Sequence, residues 1–418
     1  MLRILFEHEW LRVGPDLTKD QFDRIVRWNE RLKAPRLVVG HQGFRATQWV
    51  GVIQVGNLTL EILPKAERNR DVPHDARADL VEKWRFILLK MLSASLRLDL
   101  HLPNRADLHL QHRNFLDLFH SALVKEAQSL LHEGLVKTYR QVAKNRSTFR
   151  GRLVVASDLR ENLVHRERVF TESMEFDAHN PWNRILVDAL RTVALRAGSG
   201  TVRSRARELL LPFEDWESIR AHAELFRHLC YDRRTERYRN AMDLSQLILL
   251  GENPDFKSGK DDVFSLMFDM NLLWEDWVAS EVRRDLHASD WKLKTQKQQA
   301  FWQGSVRTKF VKPDLVVHSN SRSPQSFQLF GKFPIEGATV LDTKWKVLEQ
   351  ATPSDEDLKQ MFVYSKLWSA DHTWLIYPDV HGLEDHPGRF LYREEANAAW
   401  SKCSLGFIAL PERSGGRT

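Results

Sequence analysis

The chain has 418 residues, enough for two or three domains of ordinary size. Hydrophobic residues make up 42% of it, which is enough to form buried cores. This composition excludes an intrinsically disordered protein. Its 62 basic and 56 acidic side chains leave a formal net charge of +6, which favours a polyanionic partner such as nucleic acid.

The chain begins MLRILFEHEWLRV, which carries acidic side chains and lacks the apolar run of a signal peptide. No window approaches about 18 uninterrupted apolar residues, so we expect no membrane span. The two cysteines, Cys230 and Cys403, are far apart, which excludes a disulfide framework and a cysteine-based zinc cluster. These features predict a protein of the reducing cytoplasm.

Residues 1–65 are predicted to form a β-rich module. Trp49–Val55 and Leu58–Leu63 are apolar runs with strand-like alternation. Gly56-Asn57 between them is a two-residue hairpin signal, and Pro64 ends the second strand.

Residues 66–255 are predicted to form a linker, residues 66–76, followed by a mainly helical middle region. Apolar residues recur there at helical spacing. The predicted helices are a segment from about Asp79 that contains Trp84 and Leu88, a segment from Phe115 to about Glu133, Pro181–Arg196 and Ser218–Leu229.

Residues 256–418 are predicted to form a compact α/β domain. An opening helix, Val263–Asp285, precedes a strand, strand, helix, strand order. These later elements are predicted at Phe310–His318, Thr339–Val347, Asp355–Trp368 and Thr373–Tyr377, with a flexible connection over residues 319–338. The predicted fold class is therefore a mixed α+β and α/β multidomain protein.

The strand Thr339–Val347 carries an unusual pair of charges. Alternation along a strand places Asp342, Lys344 and Lys346 on one face. Burial of a lone charge is costly, so Asp342 and Lys344 need each other, a metal ion or solvent.

Asp314 precedes the apolar run Leu315-Val316-Val317, directly after Pro313. If this strand pairs with Thr339–Val347 as a hairpin, Asp314 and Asp342 meet at one end. Two close carboxylates repel unless a cation lies between them, and Mg²⁺ prefers carboxylate, water and phosphate oxygens. A nearby lysine stabilises charge on a phosphate or helps to orient or activate a water.

Two helices supply further candidates. Glu275, with Asn271, interrupts an apolar stripe that includes Phe264 and Phe268, and Glu281 is the alternative acid on this helix. Gln360 lies one turn from Tyr364, where it can position a water or contact a phosphate.

The residues alone also permit simpler interpretations. Asp342 and Lys344 can form a surface ion pair of an α/β domain, Glu275 can lie solvated at the border of its stripe, and Gln360 can belong to an ordinary polar face. The 17 histidines contain no HExxH and no tight ligand spacing, which argues against a zinc hydrolase.

The spacing of Pro313-Asp314 and Asp342-x-Lys344 resembles the PD-(D/E)xK nuclease superfamily. Several segments in consistent order also resemble McrC, the nuclease subunit of McrBC-type, modification-dependent restriction systems. They are VGVIQVGNLTLEILPK, RGRLVV, MEFDAHNPWNRIL, FDMNLLWEDWV, KPDLVV, LDTKWK and DLKQMFVYS.

The resemblance implies an endodeoxyribonuclease that hydrolyses phosphodiesters with Mg²⁺, or Mn²⁺ as the alternative ion. Asp314, Asp342 and Lys344 match the motif, Glu275 the helical glutamate and Gln360 the helix glutamine. The expected metal ligands are Asp314, Asp342 and Glu275.

The resemblance also implies a partner, an McrB-like AAA+ GTPase hexamer that recognises methylated double-stranded DNA. Residues 1–65 would dock on this partner and stimulate its GTPase, and residues 256–418 would be the endonuclease domain. Because the sequence lacks GxxxxGK[ST], we expect no nucleotide on this chain itself.

Two alternatives remain from other classes. One is a non-cleaving adaptor and GTPase activator with a vestigial nuclease site. The other is a stand-alone DNA repair nuclease of the same superfamily, which would cut without a GTPase.

Overall fold

The computed structural model of the chain describes most of its residues, in several stretches. These are residues 1–64, 74–96, 115–219, 222–251, 263–287, 289–305, 307–319, 327–335, 337–348, 350–391 and 401–411. Most of the predicted linker, residues 66–76, and part of the predicted connection, residues 319–338, lie outside them. No helix in the described stretches is long and apolar enough to cross a membrane.

The chain divides into two compact units. The first unit comprises Met1–Leu98 and Pro254–Thr418, and the second comprises Asp99–Asn253. The predicted segments 1–65 and 256–418 therefore fall in one unit. Their assignment to docking and cleavage stays a prediction.

The N-terminal part of the first unit is rich in strands, as its alternating apolar runs predict. Its elements are β1 (Leu2–Phe6), β2 (Trp10–Arg12), α1 (Lys19–Arg31), β3 (Leu37–Gly40), β4 (Gly43–Ala46), β5 (Trp49–Val55) and β6 (Leu58–Leu63). Val55 pairs with Leu58 across the predicted hairpin, and Gly56 there has φ +56°, a left-handed conformation that glycine adopts readily.

Helix α2 (His74–Leu96) packs against this part of the unit. Its apolar residues Trp84 and Leu88 are buried, as the helical spacing predicts. Arg85 forms a two-pronged ion pair with the fully buried Glu61 of β6, with Nε and Nη2 at 2.7 and 2.5 Å from its carboxylate oxygens. A buried carboxylate needs such a partner, so this contact fixes the helix to the sheet.

The second unit contains helices and a three-stranded sheet. Its elements are α3 (Phe115–Glu133), β7 (Thr138–Arg146), β8 (Arg152–Leu153), α4 (Val155–Glu161), β9 (Val169–Asp177), α5 (Pro181–Arg196), α6 (Gly200–Leu210), α7 (Ala223–Arg227) and α8 (Arg239–Leu250), with short 3₁₀ turns at Leu211–Phe213 and Glu236–Tyr238.

Two expectations for this middle region need correction. The long antiparallel pair of β7 and β9 was not predicted, because these strands are mostly polar and their alternation carries little apolar signal. Within the described part of the predicted helix Ser218–Leu229, which leaves out residues 220 and 221, the helical residues are Ala223–Arg227. The carboxylate of Asp188 accepts hydrogen bonds from the Ser218 hydroxyl and the Ile219 N–H, both at 2.8 Å, which holds that backbone outside a helix.

The chain returns to the first unit with β10 (Val263–Asp269) and α9 (Met270–Leu286). The single predicted helix Val263–Asp285 is wrong over its first seven residues, because Val263–Asp269 pairs antiparallel with β5 and completes a sheet of order β1-β6-β5-β10. The helix begins after Asp269, whose side chain caps the N–H of Asn271 at 2.9 Å. Asn271 is exposed, so it does not belong to an inward stripe.

The remaining elements build the sheet that carries the candidate site. They are β11 (Trp291–Thr295), β12 (Gln299–Gln303), β13 (Thr308–Val311), β14 (Leu315–Ser319), β15 (Phe327–Leu329), β16 (Phe333–Ile335), β17 (Thr339–Thr343), α10 (Asp355–Leu367), β18 (His372–Asp379) and β19 (Lys402–Ala409).

The five-stranded sheet has the order β11-β14-β17-β18-β19. Strands β17, β18 and β19 are parallel, whereas β11, β14 and β17 pair antiparallel. Met361 and Tyr364 of α10 pack with Val340 and Leu375 of the sheet, so this helix covers one face. The predicted strand Phe310–His318 is interrupted at Pro313, which has no N–H to donate, and the predicted strand Thr339–Val347 ends at Thr343.

Candidate active site

Strand pairing brings the two predicted aspartates to one end of the sheet. β14 runs antiparallel to β17, with Leu315 opposite Leu341. Asp314 immediately precedes Leu315 and Asp342 immediately follows Leu341, so the next step of the same ladder places them side by side.

Asp314 is held in place by the residue that follows Asp342. Its Oδ2 accepts hydrogen bonds from the N–H of Thr343 at 2.7 Å and from the Thr343 hydroxyl at 2.9 Å. Burial raises the pKa of Asp314, although the Thr343 hydrogen bonds and the charge of Lys344 act in the opposite direction.

Asp342 is almost fully buried, with 2% of its surface exposed. Burial, followed by the charge of Asp314, raises the pKa of Asp342 to about 7. The site therefore concentrates negative charge in a poorly solvated place, which a cation would relieve.

Lys344 lies one residue beyond the end of β17, where its N–H still donates to the carbonyl of Ile376 at 2.9 Å. Its Nζ is 2.7 Å from Oδ2 of Asp342 and 3.5 Å from Oδ1 of Asp357. Burial lowers the pKa of Lys344, but the charges of Asp342 and Asp357 outweigh it and the pKa is raised. Lys344 is therefore a cation at neutral pH.

Gln360 and Tyr364 extend this network through α10. The Nζ of Lys344 donates to Oε1 of Gln360 at 3.1 Å, and Nε2 of Gln360 donates to the Tyr364 hydroxyl at 2.7 Å. The Tyr364 hydroxyl donates in turn to the carbonyl of Lys312 at 2.9 Å. The chain of contacts thus runs from Lys344 back to the segment that carries Asp314.

Glu275 approaches the site from α9. Its carboxylate accepts a hydrogen bond from the side-chain amide of Gln296. The backbone N–H of Gln296 donates to the carbonyl of Asp314 at 3.0 Å. Burial, followed by the charge of Asp314, raises the pKa of Glu275. Glu281, the alternative acid, instead pairs with Arg284 on its own helix.

No group of three or more His, Cys, Asp or Glu side chains in the described stretches is arranged to hold a metal ion together. Asp314 and Asp342, side by side at the end of the sheet, are the candidate ligands for a shared ion. The role of Glu275 as a third ligand stays a prediction.

The family comparison covers most of the chain, including every predicted site residue. A family described as McrBC 5-methylcytosine restriction system component matches residues 44–378. The chain belongs to the McrBC family. It is therefore a component of a restriction system of that type.

One solved McrBC structure shares this fold. One chain comes from a refined half-complex of a tetradecameric assembly of Thermococcus gammatolerans McrB AAA+ hexamers with bound McrC. It is 21% identical with a TM-score of 0.64, over 98% of this chain and 94% of that one. A second, from the Thermococcus gammatolerans McrBC complex, is 23% identical with a TM-score of 0.49, over 68% of this chain and 88% of that one. A comparison with curated protein sequences found no match.

This McrBC family member also has site residues that the sequence did not reveal. Asp357 contacts Lys344 and, at 3.2 Å, Nζ of Lys346, and its N–H donates to the capping hydroxyl of Ser354. The Ser354-x-x-Asp357 spacing signals a helix start and gave no hint of a link to the lysines. Thr343 and Gln296 carry no local signal, because their roles depend on strand pairing and on a loop.

Proposed function

We propose that this chain is the Mg²⁺-dependent endonuclease subunit of an McrBC-type restriction complex. In this proposal it hydrolyses DNA phosphodiesters when assembled with an McrB-like AAA+ GTPase. The observation that carries the proposal is the juxtaposition of Asp314, Asp342 and a cationic Lys344 at one end of a sheet.

The chemistry of the donor set fits a magnesium ion. Asp314 and Asp342 offer hard oxygen ligands, which Mg²⁺ prefers. Asp342 is buried, and the charge of Asp314 helps to raise its pKa, so a shared cation would offset their repulsion. Asp314 and Asp342 would hold the ion, with Glu275 as the candidate third ligand. When bound, Mg²⁺ supplies Lewis-acid polarisation of a phosphate oxygen and a more acidic water.

The other residues act on charge and position. Lys344 is protonated, so it suits electrostatic stabilisation of a phosphate rather than removal of a proton. Gln360 holds the Lys344 ammonium through one hydrogen bond and is itself held by Tyr364. The ion pairs with Asp342 and Asp357 hold the Lys344 ammonium at the site when no phosphate is bound.

The partner and the substrate follow from the family. The related Thermococcus gammatolerans assembly contains McrB AAA+ hexamers with bound McrC. We assign the same kind of partner to this chain, with residues 1–65 as the docking and GTPase-stimulating part. The substrate would be methylated double-stranded DNA, in keeping with the 5-methylcytosine restriction family.

The test is cleavage of a methylated plasmid by this chain with an McrB-like GTPase, GTP and Mg²⁺. Wild type is compared with Asp342→Asn and Lys344→Ala. Glu281→Gln is the matched control, because Glu281 lies on a neighbouring helix and pairs with Arg284 outside this network. Complex formation and GTPase stimulation are measured in parallel.

We expect both site variants to lose cleavage at least about 100-fold while docking and GTPase stimulation remain. Full cleavage by the variants would place the chemistry elsewhere. A wild type that stimulates GTP hydrolysis and cuts no modified DNA would be an adaptor. Efficient cutting without any GTPase would instead favour a stand-alone nuclease.

A further inference from the structure

A two-stranded ribbon, β12 and β13, projects from the sheet beside the candidate site. Each residue from Lys297 to Gln303 is exposed, so the ribbon has no core of its own. It nevertheless carries three large aromatic side chains, with Phe301 54%, Trp302 55% and Phe310 58% exposed. Three large apolar side chains exposed on one short ribbon are a feature of interaction sites.

The ribbon and its flanks carry charge of one sign. Residues 291–313 contain six basic and no acidic side chains. The basic side chains are Lys292, Lys294, Lys297, Arg307, Lys309 and Lys312. Such a segment repels cationic partners and attracts a polyanion.

Strand register interleaves the two kinds of side chain. Trp302 lies opposite Lys309 and therefore shares a face with it, whereas Phe310 lies opposite Ala300 on the other face. The register shifts between Ala300 and Trp302, a bulge that sets Phe301 apart. Apolar rings beside cations suit a DNA duplex, which presents phosphates next to the sugars and base edges of a groove.

Both ends of the ribbon are fixed to the candidate catalytic residues. Before β12, Gln296 adopts φ +54°, unusual for a residue other than glycine, and its hydrogen bonds reach Asp314 and Glu275. After β13, Val311 packs against the core of the five-stranded sheet, and Asp314 follows three residues later. The ribbon therefore cannot move far without moving the Asp314 segment.

We propose that the ribbon is the DNA-binding element of this nuclease site. Lys297, Arg307 and Lys309 bind phosphates of a DNA duplex beside the bond to be cut, and the aromatic rings pack against sugars and base edges in a groove. A two-stranded ribbon is narrow enough to enter the major groove, which is about 12 Å wide. The inference rests on the proposed function, because it takes the substrate of that same site as its ligand.

The experiment measures binding of the full chain to a fluorescein-labelled 30-base-pair duplex by anisotropy. Ca²⁺ replaces Mg²⁺, so that binding is read without cleavage. The charge variant is Lys297→Ala/Arg307→Ala/Lys309→Ala. Its control, Lys137→Ala/Arg207→Ala/Arg233→Ala, removes the same charge from exposed positions of the second unit. The aromatic variant Trp302→Ala/Phe310→Ala is matched by Tyr139→Ala/Phe176→Ala, another exposed aromatic pair.

We expect the charge variant to bind at least about tenfold more weakly and to lower the salt slope by about 2–3, close to one per lost phosphate contact. The aromatic variant should bind about tenfold more weakly with an unchanged slope, and both controls should bind as wild type does. Unchanged melting temperatures would show that the exposed substitutions leave the fold intact.

Ribbon variants that bind DNA like wild type would overturn the inference, and so would a wild type without duplex binding. Ribbon variants that keep DNA binding but no longer bind the GTPase partner would show that the ribbon is a surface for that protein instead. A wild type that binds through the ribbon but never cuts would refute the proposed cleavage and leave the DNA-binding ribbon standing.

Discussion

The indole of Trp345 donates a hydrogen bond to Oε2 of Glu7 at 3.1 Å, across 338 positions of the sequence. Trp345 is the residue directly after Lys344, and its ring lies between Trp84 and Trp274 at centroid distances of 6.4 and 5.6 Å. The backbone that carries the lysine is thereby fixed to the end of the first strand of the chain. A direct hydrogen bond therefore joins the N-terminal part of the unit to the residue next to Lys344.

Replacement of Trp345 by Phe should weaken this connection. The variant keeps an aromatic ring, but the buried Glu7 loses the hydrogen bond from the indole, which lowers the free energy of unfolding by about 1–3 kcal/mol. Urea unfolding measures the loss, with Trp302→Phe on the exposed ribbon as the control. Cleavage by the fully folded variant should also fall, and cleavage at the wild-type rate would argue against positioning of Lys344 by Trp345.

Replacement of Gly51 by Ala should destabilise the first unit strongly. Gly51 has φ +133°, and a Cβ there would collide with the backbone carbonyl of Leu266 in β10. We expect a loss of about 3 kcal/mol or more, because both the backbone conformation and the strand spacing must change. Gly14→Ala is the matched control, since nothing lies within 4 Å of the added carbon. Equal urea midpoints for the two variants would contradict the close approach of β5 and β10.

Replacement of Tyr364 by Phe should lower cleavage without removing a group that touches the phosphate. The variant loses the hydroxyl that joins Gln360 to the Lys312 carbonyl. We expect a fall of about tenfold in kcat. In the Gln360→Ala background the same substitution should add little, because the two residues act in one chain of hydrogen bonds. If the two substitutions instead lowered kcat by factors that multiply in the double variant, Tyr364 would act independently of Gln360.

The raised pKa of Asp342 predicts how stability depends on pH in the absence of divalent cations. The folded state favours the protonated carboxyl up to its pKa of about 7, whereas the unfolded chain releases the proton near the ordinary aspartate pKa of 3.8. The contribution of Asp342 to the free energy of unfolding is therefore fully present below about pH 4 and is lost as the pH rises through about 7.

Asp342→Asn removes this pH dependence. Its melting temperature should rise relative to wild type between pH 5 and pH 8, by about 2–4 °C for each kcal/mol relieved. Addition of Mg²⁺ at pH 8 should stabilise wild type and reduce the difference in melting temperature between the two proteins. The reason is that the bound ion neutralises the carboxylate as the proton does at lower pH. A difference that stays constant with pH, or an equal Mg²⁺ effect on both proteins, would contradict the shared carboxylate site.

The sequence predicted those parts of the fold that have a local signal. The Gly56-Asn57 hairpin, the buried stripe of α2 and the order of the C-terminal elements around Asp342 all follow from spacing and turn residues. Val263–Asp269 was mistaken for helix, because a short apolar run next to a helix has no periodicity that separates the two. Only its pairing with β5, which is remote in the sequence, decides its structure.

The candidate site shows the same division. Asp314, Asp342 and Lys344 could be proposed from a motif, and antiparallel pairing brings the two aspartates together. Their surroundings could not be foreseen, because Asp357 comes from a helix, Gln296 from a loop, and Thr343 reaches Asp314 only through the pairing of two strands. The effects of these neighbours on charge are properties of the assembled site alone.

The pairing of β5 with β10 has a consequence for biosynthesis. Roughly 200 residues, including the whole second unit, separate these two strands, which at about 5–20 residues per second amounts to about 10–40 s of translation. During that interval β5 has an open edge, and the sheet β1-β6-β5-β10 lacks its last strand. The candidate site can therefore assemble only after the C-terminal segment, which carries β10, Asp314, Asp342 and Lys344, has been synthesised.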